Sequence, residues 1–318
     1  MGTYASVSIP STEKYNLAKY YEIASDSMSK METRFSIFRK SSEINRINFN
    51  AGKGPVPVSS ETFDLLQLAH FYSEATEGCF DITVAPLMQL WGFINNNKTS
   101  YRPPTEQSIA EVIKNQIGYK NLFLSNNSAY LIKTNMMIDL GGIAKGFAVD
   151  VCFHKLQQQG ASNIMINLGG NIRCAGIPSK NSSAWKIGIR DPFEKDKIIG
   201  TLLLTAGQAV ATSGNYEKFR VIEGKRYSHI MNPISGYPVE GMASVTIIAS
   251  SATEADALST ALFVAGITNG YKIIKKFKNC HAIMIPDKSP LTIYMDEGVN
   301  GIFTPIPRLV NSIKYLTK

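Results

Sequence analysis

Met137-Ile138-Asp139-Leu140-Gly141-Gly142-Ile143-Ala144-Lys145-Gly146-Phe147-Ala148-Val149-Asp150 is the stretch around which this 318-residue chain reads. An apolar approach beginning at Met136 stops at an acid, two glycines follow, and a helix-like segment carrying a lysine begins. Glycine removes a side chain where backbone approaches a neighbour closely or takes a positive φ. Amides at a helix start carry partial positive charge, and Lys145 adds a point charge. The stretch therefore reads either as a phosphate seat or as an ordinary strand-turn-helix connection. It is not the Walker loop, which ends Gly-Lys-Ser/Thr, nor the Gly-x-Gly-x-x-Gly dinucleotide turn.

Downstream, residues 149–159 continue as a helix stopped by Gly160. Residues 163–168 form a strand that feeds Gly169-Gly170-Asn171, a second place of bared backbone. Residues 185–191 and 198–204 are strands, and Ala211-Thr212-Ser213-Gly214 reads as a hydroxyl-rich turn. A strand through Tyr227-Ser228-His229-Ile230 ends in a loop holding Pro233 and Gly236. After a strand at 243–249, Thr253 caps a helix that Gly266 closes. The tail gives a helix at 268–278 and strands at 281–286 and 291–295.

Upstream, residues 3–9 read as a strand and 14–33 as an amphipathic helix. A serine, Ser41 or Ser42, starts a short helix, and Ser59 or Ser60 starts another that runs to Thr76. Residues 77–93 are dense in aromatic and apolar groups, a composition that suits either core or the wall of an aromatic ligand. The polar loop 95–104 is the segment expected to move. A surface helix spans 105–117, and a hairpin turns at Asn126-Asn127. Strands outnumber what a βαβ series gives, so the fold class is α+β with largely antiparallel sheets and packed helices. No repeat or linker marks a boundary, and residues 1–318 read as one catalytic unit.

Composition narrows the classes. Hydrophobic residues at 44% and charged residues at 18% describe a globular chain. The charge of +8 and pI near 9.1 raise nucleic acid as a partner, but the cations are scattered among acids. The one dense basic run, 272–278, interleaves Ile273, Ile274 and Phe277 at helix spacing. No nucleic-acid partner is expected. Four cysteines form no Cys-x-x-Cys pair, and four histidines lack zinc spacing. No leader and no apolar run of membrane length is read, which sets the expectation of a soluble chain.

Three places hold groups suited to chemistry. Asp256 and Thr260, four apart on one helix, turn their oxygens the same way, with Ser259 beside them. Hard cations such as magnesium take oxygen ligands, although an acid in a first helical turn also simply complements the dipole. His229 beside a Pro/Gly loop is suited to moving a proton or to plain packing. Asp139 and Lys145 flank the glycine pair, either around one ligand or as a surface ion pair.

Taken in order, these segments resemble the ApbE family of flavin transferases. The resemblance is carried by Met1-Gly2-Thr3, the run from Ser42 to Asn48, and the block from Phe80 to Phe93. It continues through Asp139 to Gly146, Asn167-Leu168-Gly169-Gly170, Ala211-Thr212-Ser213-Gly214, His229-Ile230 with Pro233 and Gly236, and Ala255 to Ala261. The resemblance implies an ApbE-like fold with a ligand cleft between two halves. It implies a magnesium-dependent enzyme that moves FMN from FAD to a Ser or Thr hydroxyl of a target protein, releasing AMP. By motif position, Asp256 and Thr260 hold the Mg2+ through side chains, with backbone oxygens of Gly142 and Ser259 nearby. FAD contacts Met1, Phe38, Cys79, Phe80, Asp81, Asp139, Lys145 and Ile230, and His229 is the candidate base. FAD pyrophosphatase activity, giving FMN and AMP, and non-catalytic FAD carriage are the alternatives.

The resemblance also implies an acceptor among subunits of membrane redox complexes. It implies a place in the cell envelope, periplasmic or membrane-anchored, through a leader absent from this sequence; a cytoplasmic location is the alternative. Two departures stand out. Asn232-Pro233 replaces the Asp-Pro pair common in the family, which removes an acid but is expected to keep the loop shape. Phe38 stands where a Tyr is usual, keeping a ring and losing a hydroxyl.

Overall fold

The computed structural model describes residues 2–10, 17–94 and 102–316. Met1 and most of the loop expected to move (95–101) lie outside the described residues. The chain forms two compact units, each assembled from separate stretches. The first comprises Met1–Met31, Ile143–Gly214 and Gly241–Lys318; the second comprises Glu32–Gly142 and Asn215–Glu240.

The first unit is built on an eight-stranded sheet. In spatial order its strands are Ala5–Ser8, Ile164–Leu168, Asn171–Ala175, Ala209–Gly214, Met242–Ala249, His281–Pro286, Ile293–Met295 and Ile313–Tyr315. Every neighbouring pair is antiparallel except the last, which is parallel. All residues of Met242–Ala249 are buried, as befits a central strand covered on both faces. One covering layer is a pair of helices, Ala144–Gln158 and Ala252–Ile274. The other is a three-stranded sheet of Trp185–Arg190, Ile198–Leu204 and Phe303–Pro305. Strict alternation in Trp185–Arg190 turns Trp185, Ile187 and Ile189 inward onto Ile172, Val210, Ile248 and Ile283.

The two helices make backbone contact. A Cβ on Gly146 would lie 2.2 Å from the Ala252 carbonyl oxygen, so no side chain fits there. Asp150, one turn further on, accepts from the Ala252 and Thr253 amides at 3.0 and 2.8 Å and from the Thr253 hydroxyl at 2.6 Å. Arg173 Nη1 closes the cluster at 2.7 Å from Asp150. These bonds move the helix start: its N-cap is Ser251, whose side chain accepts from the Glu254 amide, not the Thr253 expected from sequence. Gly266 falls where the helix was expected to close, but its φ of 71° produces a kink and helix resumes to Ile274. By length and composition this helix passes for a membrane span, contrary to the sequence reading. It is rich in apolar residues where sheet and neighbouring helix cover it, and half of its most apolar window is buried in the fold.

The expected hydroxyl-rich turn at Ala211-Thr212-Ser213-Gly214 is instead an inner strand. Its small polar side chains pair across and above the sheet: Thr212 and Thr246 hydroxyls meet at 2.8 Å.

The second unit holds helices Glu43–Phe49, Ser60–Ala75, Ala85–Leu90 and Glu106–Gln116, a small sheet and the hairpin Phe219–Ile222/Lys225–Ser228. Ser42 and Ser59 cap the first two helices, as read from sequence, and Thr105 caps the fourth. Asn126 and Asn127 both take positive φ, the requirement of a two-residue hairpin turn. The aromatic-dense segment is core. Trp91 is 1% exposed, is packed against Leu87, Ile109, Ile222 and Met231, and donates its indole N–H to the Gly236 carbonyl at 2.9 Å.

The Gly146 contact gives a test. Gly146→Ala is expected to destabilise the protein by about 1–3 kcal/mol through overpacking. Asp150→Ala, which leaves a buried arginine and helix amides unpaired, is expected to cost about 3–5 kcal/mol. Urea unfolding followed by circular dichroism measures both, and a Gly146→Ala midpoint equal to wild type would refute the close approach.

Candidate active site

Each helix of the crossing pair supplies a carboxylate to the start of the other. Ile143 stands at the N-cap of Ala144–Gln158 and gives no side-chain bond. The missing cap comes from Asp256, whose Oδ2 accepts the Gly146 amide at 2.9 Å. Its Oδ1 lies 3.4 Å from Lys145 Nζ. Read from sequence, this helix start was either a phosphate seat or an ordinary connection; the anion found there is the chain's own Asp256, buried at 3% exposure.

Beside Asp256 the hydroxyls form a directed chain. Ser259 donates to the Asp256 carbonyl at 2.9 Å, which uses its only proton. Ser213 is therefore the donor in its 2.8 Å bond to Ser259. Thr260 must then donate to Ser213, at 3.3 Å, leaving the Thr260 Oγ1 lone pairs directed elsewhere. Among the described residues no group of three His, Cys, Asp or Glu is placed to hold a metal. The set here is of another kind: one carboxylate and a polarised hydroxyl, hard oxygens of the sort magnesium takes while keeping several waters. The residues fit such a cation. Gly142, expected from sequence to add a backbone oxygen, is the last residue of its stretch in the second unit, and Ile143 begins the next stretch of the first.

In the second unit, His229 is held twice by one carbonyl. Its amide and its Nδ1 both lie within hydrogen-bond distance of the Lys218 carbonyl, at 3.1 and 3.0 Å. A carbonyl only accepts, so Nδ1 carries the proton and Nε2 is the basic nitrogen of the neutral ring. Ile230, buried beside it, accepts from the Val239 amide at 2.8 Å. Asn232 Oδ1 accepts from the Ile234 and Ser235 amides at 2.9 and 3.1 Å. These are bonds an aspartate would also make, so the loop survives the exchange of acid for amide.

Asp139 Oδ1 accepts the Gly141 amide at 2.7 Å in a tight turn, and Gly141 serves close approach: a Cβ there would meet that oxygen at 2.7 Å. Phe38 is 72% exposed and lines a hollow of about 270 Å³ with Ile37, Asn48, Phe49, Ile94 and Met137. Phe80 is 3% exposed within the fold, and Cys79 is half-buried. Asp81 is buried. Its Oδ1 accepts the Thr83 amide and hydroxyl at 2.8 and 2.7 Å, and its Oδ2 accepts the Tyr119 amide at 2.9 Å. Burial pushes the Asp81 carboxyl above its ordinary range and outweighs these donors. Burial also pushes Cys152 and Cys174 up to about 12, so neither thiol is a nucleophile at neutral pH.

Sequence reasoning assigned no role to two residues that organise these places. Asp150 closed the opening stretch, and its spacing from Gly146 by one helical turn was the available signal. Ser213 stood in a quoted motif, but its role depends on a strand passing under a helix, which no local pattern displays.

The ApbE family model matches residues 1–284. A FAD:protein FMN transferase of Escherichia coli K12 is 30% identical over 281 residues, 87% of this chain and 79% of its own length. One from Haemophilus influenzae is 33% identical over 276 residues, covering 85% and 78%. The crystal structure of an ApbE protein from Thermotoga maritima superposes with a TM-score of 0.80 at 34% identity, covering 92% of this chain and 96% of that one. The flavin transferase ApbE from Vibrio cholerae gives 0.84 at 28% identity, covering 95% and 96%.

Asp81 yields a pH test. A folded-state pKa above the ordinary 3.8 means that the folded protein holds this proton more tightly than the unfolded chain. The stability contributed is full below that value and is lost as pH rises through the raised one. Asp81→Asn removes this slope, so its urea midpoint should rise relative to wild type as pH climbs above the ordinary 3.8. Parallel pH profiles for the two proteins would contradict it.

Proposed function

The chain belongs to the ApbE family, and from that premise we propose that it moves the FMN half of FAD onto a Ser or Thr hydroxyl of another protein. A phosphoester forms at that hydroxyl, the bond within the FAD diphosphate breaks, and AMP leaves. Flavin transfer itself is supported by relatives of known activity that match most of this chain. The magnesium requirement, the hydroxyl acceptor and the AMP product are the finer parts of the reading.

The observation that supports the cation is the oxygen set of Asp256 and Thr260 with Lys145 Nζ at 3.4 Å, a seat for a cation beside a charge for a phosphate; the hydroxyl acceptor and the AMP product rest on the family resemblance. Asp256 and Thr260 hold Mg2+ in this reading, and the ion supplies offsetting charge for the phosphate oxygens of the leaving AMP. Lys145 contacts the diphosphate. His229 Nε2 takes the proton of the acceptor hydroxyl, its ring held in that tautomer by the Lys218 carbonyl. Phe38, exposed at its hollow, stacks on a flavin or adenine face without the hydroxyl that a tyrosine would add. The acceptor is a flavoprotein subunit of a membrane redox complex reached in the cell envelope. Support for that partner and place is the family resemblance, together with a net charge of +8 that suits an anionic lipid surface.

The test mixes the protein with FAD, Mg2+ and an acceptor protein bearing a Ser or Thr flavinylation motif. Flavin fluorescence that stays with the acceptor on a denaturing gel reports transfer, and AMP is measured in parallel. His229→Ala is expected to slow transfer by about 10²–10⁴-fold, the usual contribution of a positioned base. Thr260→Ala should raise the Mg2+ concentration needed for half-maximal rate. AMP released together with free FMN and an unlabelled acceptor would replace transfer with hydrolysis. Full activity in EDTA would remove the cation from the reading.

A further inference from the structure

The two oxygens of Asp256 are held by donors of different kinds. Oδ2 accepts the backbone amide of Gly146, in the first turn of Ala144–Gln158, and that amide cannot leave without unwinding the turn. Oδ1 faces Lys145 Nζ at 3.4 Å, an ammonium on a flexible four-carbon stem whose side chain is only partly buried. A buried carboxylate requires a compensating charge, and Lys145 provides it. For a divalent cation shared with Thr260, Oδ1 is the less committed oxygen of Asp256, since Oδ2 already accepts the helix amide. The ammonium and the cation therefore claim the same oxygen. Both are positive, so each weakens the other's hold on that oxygen.

We propose that Lys145 is an exchangeable counterion: it neutralises Asp256 in the absence of ligands, yields Oδ1 to the divalent cation, and passes to the FAD diphosphate. This rests on the flavin-transfer reading and deepens it. The exchange makes cation and FAD binding mutually dependent. Whichever ligand arrives first relocates or attracts the ammonium to the benefit of the second, and the gain is the same in either order. FAD alone has to draw Lys145 from a buried carboxylate, and the cation alone has to displace it into solvent.

Mn2+ serves as the probe, read by loss of the free-ion electron paramagnetic resonance signal on FAD-free protein. Lys145→Met should bind Mn2+ at least about tenfold more tightly than wild type, one unit of competing charge having been removed. Lys145→Arg, which keeps the charge, should stay near wild type. A second arm measures FAD affinity in EDTA by flavin fluorescence. Asp256→Asn should tighten FAD several-fold in the wild-type background, because the ammonium is released, and not in the Lys145→Met background. Unchanged or weaker Mn2+ binding by Lys145→Met, with a site still abolished by Thr260→Ala, overturns the exchange and leaves the transferase reading standing. An equal gain for Asp256→Asn in both backgrounds overturns it as well, since plain removal of a negative charge then explains the effect. A wild-type protein with no Mn2+ site sensitive to Thr260→Ala brings down the cation reading and the exchange together.

Discussion

Two helices that exchange carboxylates set the terms for the first unit. Asp150 satisfies the amides that open Ala252–Ile274, and Asp256 satisfies an amide in the first turn of Ala144–Gln158. Helix starts are poor in internal partners, and a negative charge there is favourable. With each helix lending the other its acid, neither can slide or rotate without stranding buried groups at both ends. The glycine at the crossing lets the backbones come close enough for both exchanges to occur at once. The groups suited to a cation and a phosphate are thus placed by the same bonds that hold the helices together.

How much of this was readable from the chain depended on the range over which each signal acts. Ser42, Ser59, the Asn126-Asn127 turn and the alternation of Trp185–Arg190 are local devices, and the sequence displayed them correctly. Thr253 misled because its hydroxyl and amide are both claimed by Asp150, over a hundred residues away, which leaves the cap to Ser251. Ala211 to Gly214 looked like a turn because small hydroxyl residues favour turns in isolation. Here the hydroxyls are bonded across the sheet and to the helix above, so a strand is the better state. The α+β class and the family were legible because ordered motifs survive in the chain even where their roles are tertiary. The proton order from Thr260 through Ser213 to Ser259 was not legible, because it exists only once the strand lies beneath the helix.

The second unit shows which features tolerate substitution. Asn232 does the structural work of an acid with its carbonyl oxygen alone, since the demand there is to accept two amides and not to carry charge. Trp91 has no such freedom, because its indole N–H anchors the Gly236 carbonyl while its rings fill the space against Tyr227 and Tyr237. Asp81 sits between these cases. It organises the Tyr119 amide and Thr83 from a place where its own charge is disfavoured.

The interleaving of the two units in the chain has a consequence for biosynthesis. The core that includes Leu87, Trp91 and Ile109 is completed by Ile222 and Met231, and the large sheet waits for Ile313–Tyr315 near the end of the chain. A ribosome therefore releases most of the polypeptide before either unit has all its parts. The edge strand Ala5–Ser8, made first, has to wait for Ile164–Leu168. Closing such long loops makes for slow, late assembly. Until those late segments arrive, the nascent chain carries unpaired strand edges.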